Sequence, residues 1–142
     1  MTVSANRDPQ RGEKGKILVR QPDSPGQVKQ LGPYGIESLI STEEEDRATA
    51  YRVSIAAGKK TGTSYHQLAE ELYFVVSGSG RAWLDGKEEV LKTGVFLRLP
   101  PGTRHAFEAW EEGLELLNIH TPGCRPNRDV HFEGGPPPGG FA

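Results

Sequence analysis

The sequence predicts an all-β protein whose short strands close into one barrel. Three observations carry that expectation. The 142 residues include 18 glycines and 11 prolines, as many short strands joined by turns require. The apolar runs are brief, rich in β-branched and aromatic residues, and bounded by Gly or Pro. No stretch of helical length carries a clear 3.6-residue period, and no internal repeat is visible. A chain of this size is expected to form one domain around one core.

Residues 1–15 are polar and read as a flexible arm or a strap over the body. Lys16–Arg20, built on Ile17-Leu18-Val19, reads as a first strand. Gln21–Gly35 is punctuated by Pro and Gly and reads as loop, with Ile36–Ile40 a short strand after it. Ser41–Asp46 has the cap and the acids of a helix start, yet nothing amphipathic follows, so an acidic turn is expected. Ala50–Ala57 alternates as a half-buried strand does. Strands are then expected at Glu71–Ser77, Arg81–Leu84, Glu88–Leu91, Val95–Leu99, His105–Ala109 and Leu114–His120. Asp85-Gly86 between two of these runs is a strong hairpin signal. Gly134–Ala142 can only be irregular. The organisation read from the sequence is an arm (1–15), a barrel domain (16–133) and a Gly/Pro-rich tail (134–142).

Composition excludes several classes of function. Charged residues make up 25% of the chain, the net charge is -2, and the basic residues form no stripe, so no nucleic-acid partner is expected. The longest wholly apolar run, Leu72–Val76, is far too short to span a bilayer, so no membrane partner is expected either. The polar first thirty residues lack the apolar core of a secretory leader. Cys124 is the one cysteine, which excludes an internal disulfide and suits a reducing cytoplasm. In its Pro/Gly-rich surroundings it reads as an incidental, partly exposed thiol.

The chemistry concentrates at mid-chain. Gly58 is followed after five residues by Ser64-Tyr65-His66, after four more by Glu71 and after six by Gly78. A second run reads Gly94, five residues, Pro100-Pro101-Gly102, two, His105, three, Ala109. His66, Glu71 and His105 are two imidazoles and a carboxylate, a set that binds a divalent transition metal (Fe, Mn, Ni or Zn) and leaves one side open. Burying a glutamate in an apolar barrel is costly unless a cation or donor pairs with it.

Parity adds further candidates, since residues two apart on a strand share a face. Ser64 points with His66; Tyr73 points with Glu71; Phe107 points with His105. Asn118 and His120 form a polar pair on one face of the last strand. Tyr73 and His120 are thus candidate acid–base groups. Asn118, Tyr51 and Phe107 are candidate substrate contacts. Arg52, Arg81 and Arg98 read as ion-paired surface residues, Trp83 and Trp110 as packing, and His131 as a surface loop residue.

The two runs match the paired signatures of the cupin superfamily closely, so residues 48–122 resemble a small single-domain cupin. The resemblance implies a double-stranded β-helix, or jelly-roll barrel, with a metal inside. It implies His66, Glu71 and His105 as ligands, with Ser64 where the family places a further histidine and Ala109 where it places an asparagine. A hydroxyl is a poor ligand beside imidazole, so Ser64 is expected to leave an open coordination position. The expected function is a metal-dependent enzyme of oxygenase, isomerase or cyclase type acting on a small oxygen-rich metabolite. A metal-free binder of sugar-like molecules and a metal-free epimerase using a tyrosine–histidine pair stand as alternatives, because cupins support many chemistries. The outward apolar residues Leu72, Phe74, Val76, Leu117 and Ile119 predict a homodimer.

Overall fold

The computed structural model describes residues 15–21, 28–125 and 128–135. The expected arm to residue 14 and the tail from 136 onward lie outside the described residues. Among the described residues nine strands form the fold: β1 (Val28–Leu31), β2 (Tyr34–Ser38), β3 (Thr49–Ile55), β4 (Ser64–Tyr65), β5 (Glu70–Leu84), β6 (Lys87–Lys92), β7 (Phe96–Leu99), β8 (His105–Thr121) and β9 (His131–Phe132). All pairings are antiparallel, in the order β1-β2-β3-β8-β4-β9, with β5 joining β6, β7 and β8. Among the described residues no helix is long and apolar enough to cross a membrane.

Two long strands are the spine. The sequence divides each at a glycine, predicting four strands, whereas β5 and β8 run through and pair with each other over nearly their whole length. The division becomes an irregularity: the register slips between Val75 and Ser77 and again between Gly78 and Gly80. Gly78 (φ 90°) lies against Gly113 (φ 74°) so closely that a Cβ on Gly78 would sit 2.0 Å from the Gly113 carbonyl oxygen. Gly78 therefore allows a backbone approach that no side chain permits. Alternation fills the interior from both strands: Tyr73, Val75 and Ala82 from β5, and Phe107, Ala109, Leu114 and Leu116 from β8, pack with Val53, Ile55, Leu91 and Leu99.

Other expectations resolve in detail. Asp85 (φ 49°) and Gly86 (φ 83°) make the expected tight turn from β5 to β6. Ser41–Asp46 is a turn, closed by the Glu44 amide on the Ser41 carbonyl (3.1 Å) and the Ser41 amide on the Glu44 carboxylate (2.7 Å). Lys16–Arg20 is not a strand: Ile17 and Val19 are 85% and 69% exposed. The free edge of β2 is taken instead by β1, which lies inside the expected loop. Gly32-Pro33, read as loop punctuation, is the turn of that hairpin. Arg52, Arg81 and Arg98 are ion-paired outside the barrel, to Glu37 and Glu115, to Glu88 and Glu108, and to Glu70. Trp110 is part-exposed rather than packed.

Candidate functional site

Strand register brings the polar interior groups together. Glu71 on β5 stands opposite His120 on β8, and Tyr73 opposite Asn118. Ser64 on β4 stands opposite His105 at the start of β8. His66 follows β4 directly. Glu71 is the hub. Its Oε2 lies 3.2 Å from Nε2 of both His66 and His105, and its Oε1 lies 3.1 Å from His120 Nε2. Asn118 donates from Nδ2 to Oε1 at 3.0 Å. All five side chains are buried.

The proton positions follow from the far edges of the rings. His66 Nδ1 lies 2.7 Å from the Asp129 carbonyl oxygen, and His105 Nδ1 lies 3.0 Å from that of Thr103. A carbonyl only accepts, so both Nδ1 atoms carry the hydrogen and, in the neutral rings, both Nε2 atoms present a lone pair. Those lone pairs face Glu71 Oε2, a buried oxygen with no aligned donor. Such a cluster requires positive charge at its centre, as protons on the imidazoles or as a cation. Burial opposes charge on His66, but its contacts with Cys124 and Glu71 outweigh that and push its pKa up to about 11. Burial likewise opposes the Glu71 carboxylate, and His105, His120 and His66 together hold it well below the usual carboxylate range.

The donor set fits a divalent metal. One ligand atom from each of His66, Glu71 and His105 lies within 4.8 Å of the others. The backbone carbonyls behind two of the imidazoles fix the tautomer that coordinates, as supporting groups of metal-bound histidines do.

The remaining candidates divide. Tyr73 is buried beside Glu71 and the His105 ring, and burial followed by the Glu71 charge raises its pKa well above that of an ordinary tyrosine. Tyr51 lines the cavity and donates its hydroxyl to the Cys124 carbonyl at 2.8 Å. Phe107 is wholly buried against Tyr73 and His105 and does not line the cavity. Ser64 does line it, along with Tyr34, whose hydroxyl burial pushes up to about 12. The cavity measures ≈ 70 Å³, against the roughly 10–15 Å³ that one water needs, so it has room for a small ligand.

The sequence reading missed what closes this cavity. Residues 121–125 and 128–135 fold back as a strap that brings Cys124, Arg125, Val130 and Phe132 to its wall. Cys124 is 1% exposed, not a surface thiol. Its backbone nitrogen and oxygen both bond the Thr49 hydroxyl at 2.9 Å. His131 and Phe132 form β9 on β4 rather than a loop, and the His131 ring stacks on Tyr65. Arg125 and Arg128 share the Glu45 carboxylate at 2.9 and 2.7 Å.

Asp129 (φ 60°) clasps the strap to the body. Its carboxylate accepts the amides of Gln67, Leu68 and Ala69 at 2.9, 3.1 and 3.1 Å. Partial burial works against this charge, but the three amides overcome it and lower the pKa. A carboxyl depressed in the folded state stabilises fully above its unfolded value, about 3.9, and loses that contribution as pH falls through the folded value. Asp129→Asn is therefore expected to lower the melting temperature at neutral pH, with the gap to wild type closing in strong acid. A gap that stays constant from neutral to acid pH would contradict the clasp.

A cupin domain model matches residues 51–120, the stretch from β3 to the end of β8. The chain is similar to solved cupin-fold structures over most of its length. A RmlC-like cupin from Shewanella frigidimarina superposes with a TM-score of 0.64 at 18% identity, covering 75% of this chain and 92% of the other. The chain belongs to the cupin superfamily. A Tyr-to-Phe variant of Streptomyces Pac13 with uridine matches this cupin with a TM-score of 0.69 at 18% identity, over 83% and 92% of the two chains; Pac13 is described as a nucleoside dehydratase. In sequence, the cupin is 31% identical over 104 residues to a candidate mannose-1-phosphate guanylyltransferase of Vibrio cholerae, covering 71% of this chain and 22% of the relative. The chain spans less than half the length of the curated relatives it matches.

Proposed function

We propose that this cupin is a metal-dependent enzyme acting on a small, hydroxyl-rich, sugar-like metabolite inside the barrel. The observation that carries this reading is the pair of imidazole Nε2 atoms, on rings whose Nδ1 edges are held by backbone carbonyls, that converge at 3.2 Å on the buried Glu71 Oε2. His66, Glu71 and His105 would hold the ion, which supplies Lewis-acid activation of a substrate oxygen. Ser64 leaves one side of the set open to substrate. Asn118 holds Glu71 in place, and His120 reaches the other carboxylate oxygen, where it can take or return a proton. Tyr73, kept protonated by its surroundings, donates a hydrogen bond rather than acting as a base. The strap supplies one wall of the cavity through Cys124, Arg125, Val130 and Phe132. The sugar-bearing chemistry named for Pac13 and for the Vibrio relative supports the substrate class.

Wild-type protein is expected to take up roughly one Mn(II) or Fe(II) per chain, by calorimetry and elemental analysis. His105→Ala is expected to abolish uptake with the fold retained. No uptake by wild type would sink the metal reading. It would favour a second one, metal-free acid–base chemistry by His120 and Tyr73 around Glu71, for which the buried carboxylate–imidazole cluster is the specific support.

We also propose a homodimer. Phe74 and Val76 of β5 and Phe96 of β7, which pairs alongside it, are exposed together on the outer face. A second copy covering them should bury at least about 1,200 Å² in total. Light scattering is expected to give twice the chain mass, and a monomer mass at micromolar concentration would refute it.

A further inference from the structure

Cys124 sits at a second set of ligand atoms that the proposed metal centre does not use. Its Sγ lies 3.4 Å from His66 Nδ1, the ring edge facing away from Glu71. One ligand atom from each of His66, His120 and Cys124 lies within 4.8 Å of the others, and all three residues are buried. A second, independent observation points the same way: His120 Nδ1 is fully buried and has no hydrogen-bond partner. A buried imidazole nitrogen without a partner is costly, and it stands in the group that contains the thiol. The thiol itself bonds the Arg128 carbonyl oxygen at 3.0 Å, an interaction weak enough to yield to a cation.

We infer that His66, His120 and Cys124 form an alternative, soft metal site that takes a thiophilic divalent cation of the Zn(II) class. Two imidazoles and a thiolate suit Zn(II) and Co(II), whereas a carboxylate-containing set suits Mn(II). The step balances simply. The Cys124 S–H bond breaks, its proton leaves to solvent, and the sulfur pair binds the cation. His66 moves its hydrogen from Nδ1 to Nε2, which breaks its 2.7 Å bond to the Asp129 carbonyl and requires that contact to open, frees Nδ1 as a ligand and gives Glu71 Oε2 a donor at the existing 3.2 Å. The same move removes the Nε2 lone pair from the Glu71 centre. One imidazole thus serves either centre but not both, so the identity of the ion selects the site. This inference goes beyond the proposed function and shares only His66 with its metal centre.

The test adds Co(II) to the full chain. A thiolate-to-cobalt charge-transfer band in the near ultraviolet is expected, removed by excess Zn(II), absent in Cys124→Ser and retained in His105→Gln. A wild-type protein without the band, a band that persists in Cys124→Ser, or a band lost in His105→Gln would overturn the proposal. Should Cys124→Ser not fold, alkylation of the wild-type thiol decides instead. Zn(II) is expected to slow it at least tenfold, and an unchanged rate refutes the site. Mn(II) uptake is read separately: uptake without a cobalt band leaves the Glu71 centre standing and this site refuted. A cobalt band with no Mn(II) uptake does the reverse. Where both ions bind, Co(II) is expected to weaken Mn(II) binding at least tenfold, and simultaneous binding of both would refute the switch at His66.

Discussion

Glu71→Gln is expected to reduce transition-metal affinity by more than about 100-fold, beyond what losing a supporting group around a metal costs. The substitution preserves volume and removes the one charge on which three imidazoles converge. It is also expected to destabilise chelator-treated protein by about 3–5 kcal/mol, the usual result of removing one member of a buried ion pair. The pH dependence has a definite sign. His66 is raised from 6.5 to about 11 by its partners, so its contribution is complete below its unfolded value and declines as pH rises toward the folded one. The stability gap between wild type and Glu71→Gln should therefore be widest in mild acid and shrink in alkali. Denaturant titrations across that range measure it. A gap that widens with pH would mean that His66 is neutral in the cluster.

Gly78→Ala carries the second large effect, and its cause is steric. The new Cβ would stand 2.0 Å from the Gly113 carbonyl oxygen and 2.8 Å from its carbon, both backbone atoms of a paired strand. It would also occupy a backbone conformation at φ 90° that side chains rarely adopt. The expected loss is about 4 kcal/mol, or roughly 10–15 °C in melting temperature for a chain of this size. Gly86→Ala is the control. It has a similar φ of 83° with nothing within 4 Å of the added atom, so only the conformational cost of about 1–2 kcal/mol should appear. Equal losses at the two positions would show that the close approach of the spine strands contributes nothing.

Most of the barrel was legible because its strands alternate. Tyr73 and Val75, and Leu114, Leu116, Asn118 and His120, all turn inward as parity predicts, and that is a local property of extended backbone. The joining of split strands was not legible. Gly78 carries the same turn signal whether the chain reverses or merely slips register, and only the partner strand decides. Lys16–Arg20 failed for the opposite reason: local apolarity cannot show that another segment already occupies the sheet edge. At the site, His66, Glu71 and His105 converge where the motif spacing places them, and His120 joins them on the hub carboxylate. Cys124 and Asp129 could not be found by pattern. Their positions depend on bonds to Thr49 and to the amides of residues 67–69, more than fifty residues away in sequence.

The strap also fixes the order in which the pocket can be completed during synthesis. The polypeptide emerges N-terminus first, at about 5–20 residues per second. Glu71 and His66 leave the ribosome well before His120, and Cys124, Asp129 and β9 come last of the described parts. Until then the barrel mouth lacks its cover, the amides of residues 67–69 lack their acceptor, and Glu71 lacks its cross-strand imidazole. A nascent chain stalled before residue 120 would thus present an open, solvated carboxylate, and the buried cluster would be assembled only once His120 and the strap behind it have emerged.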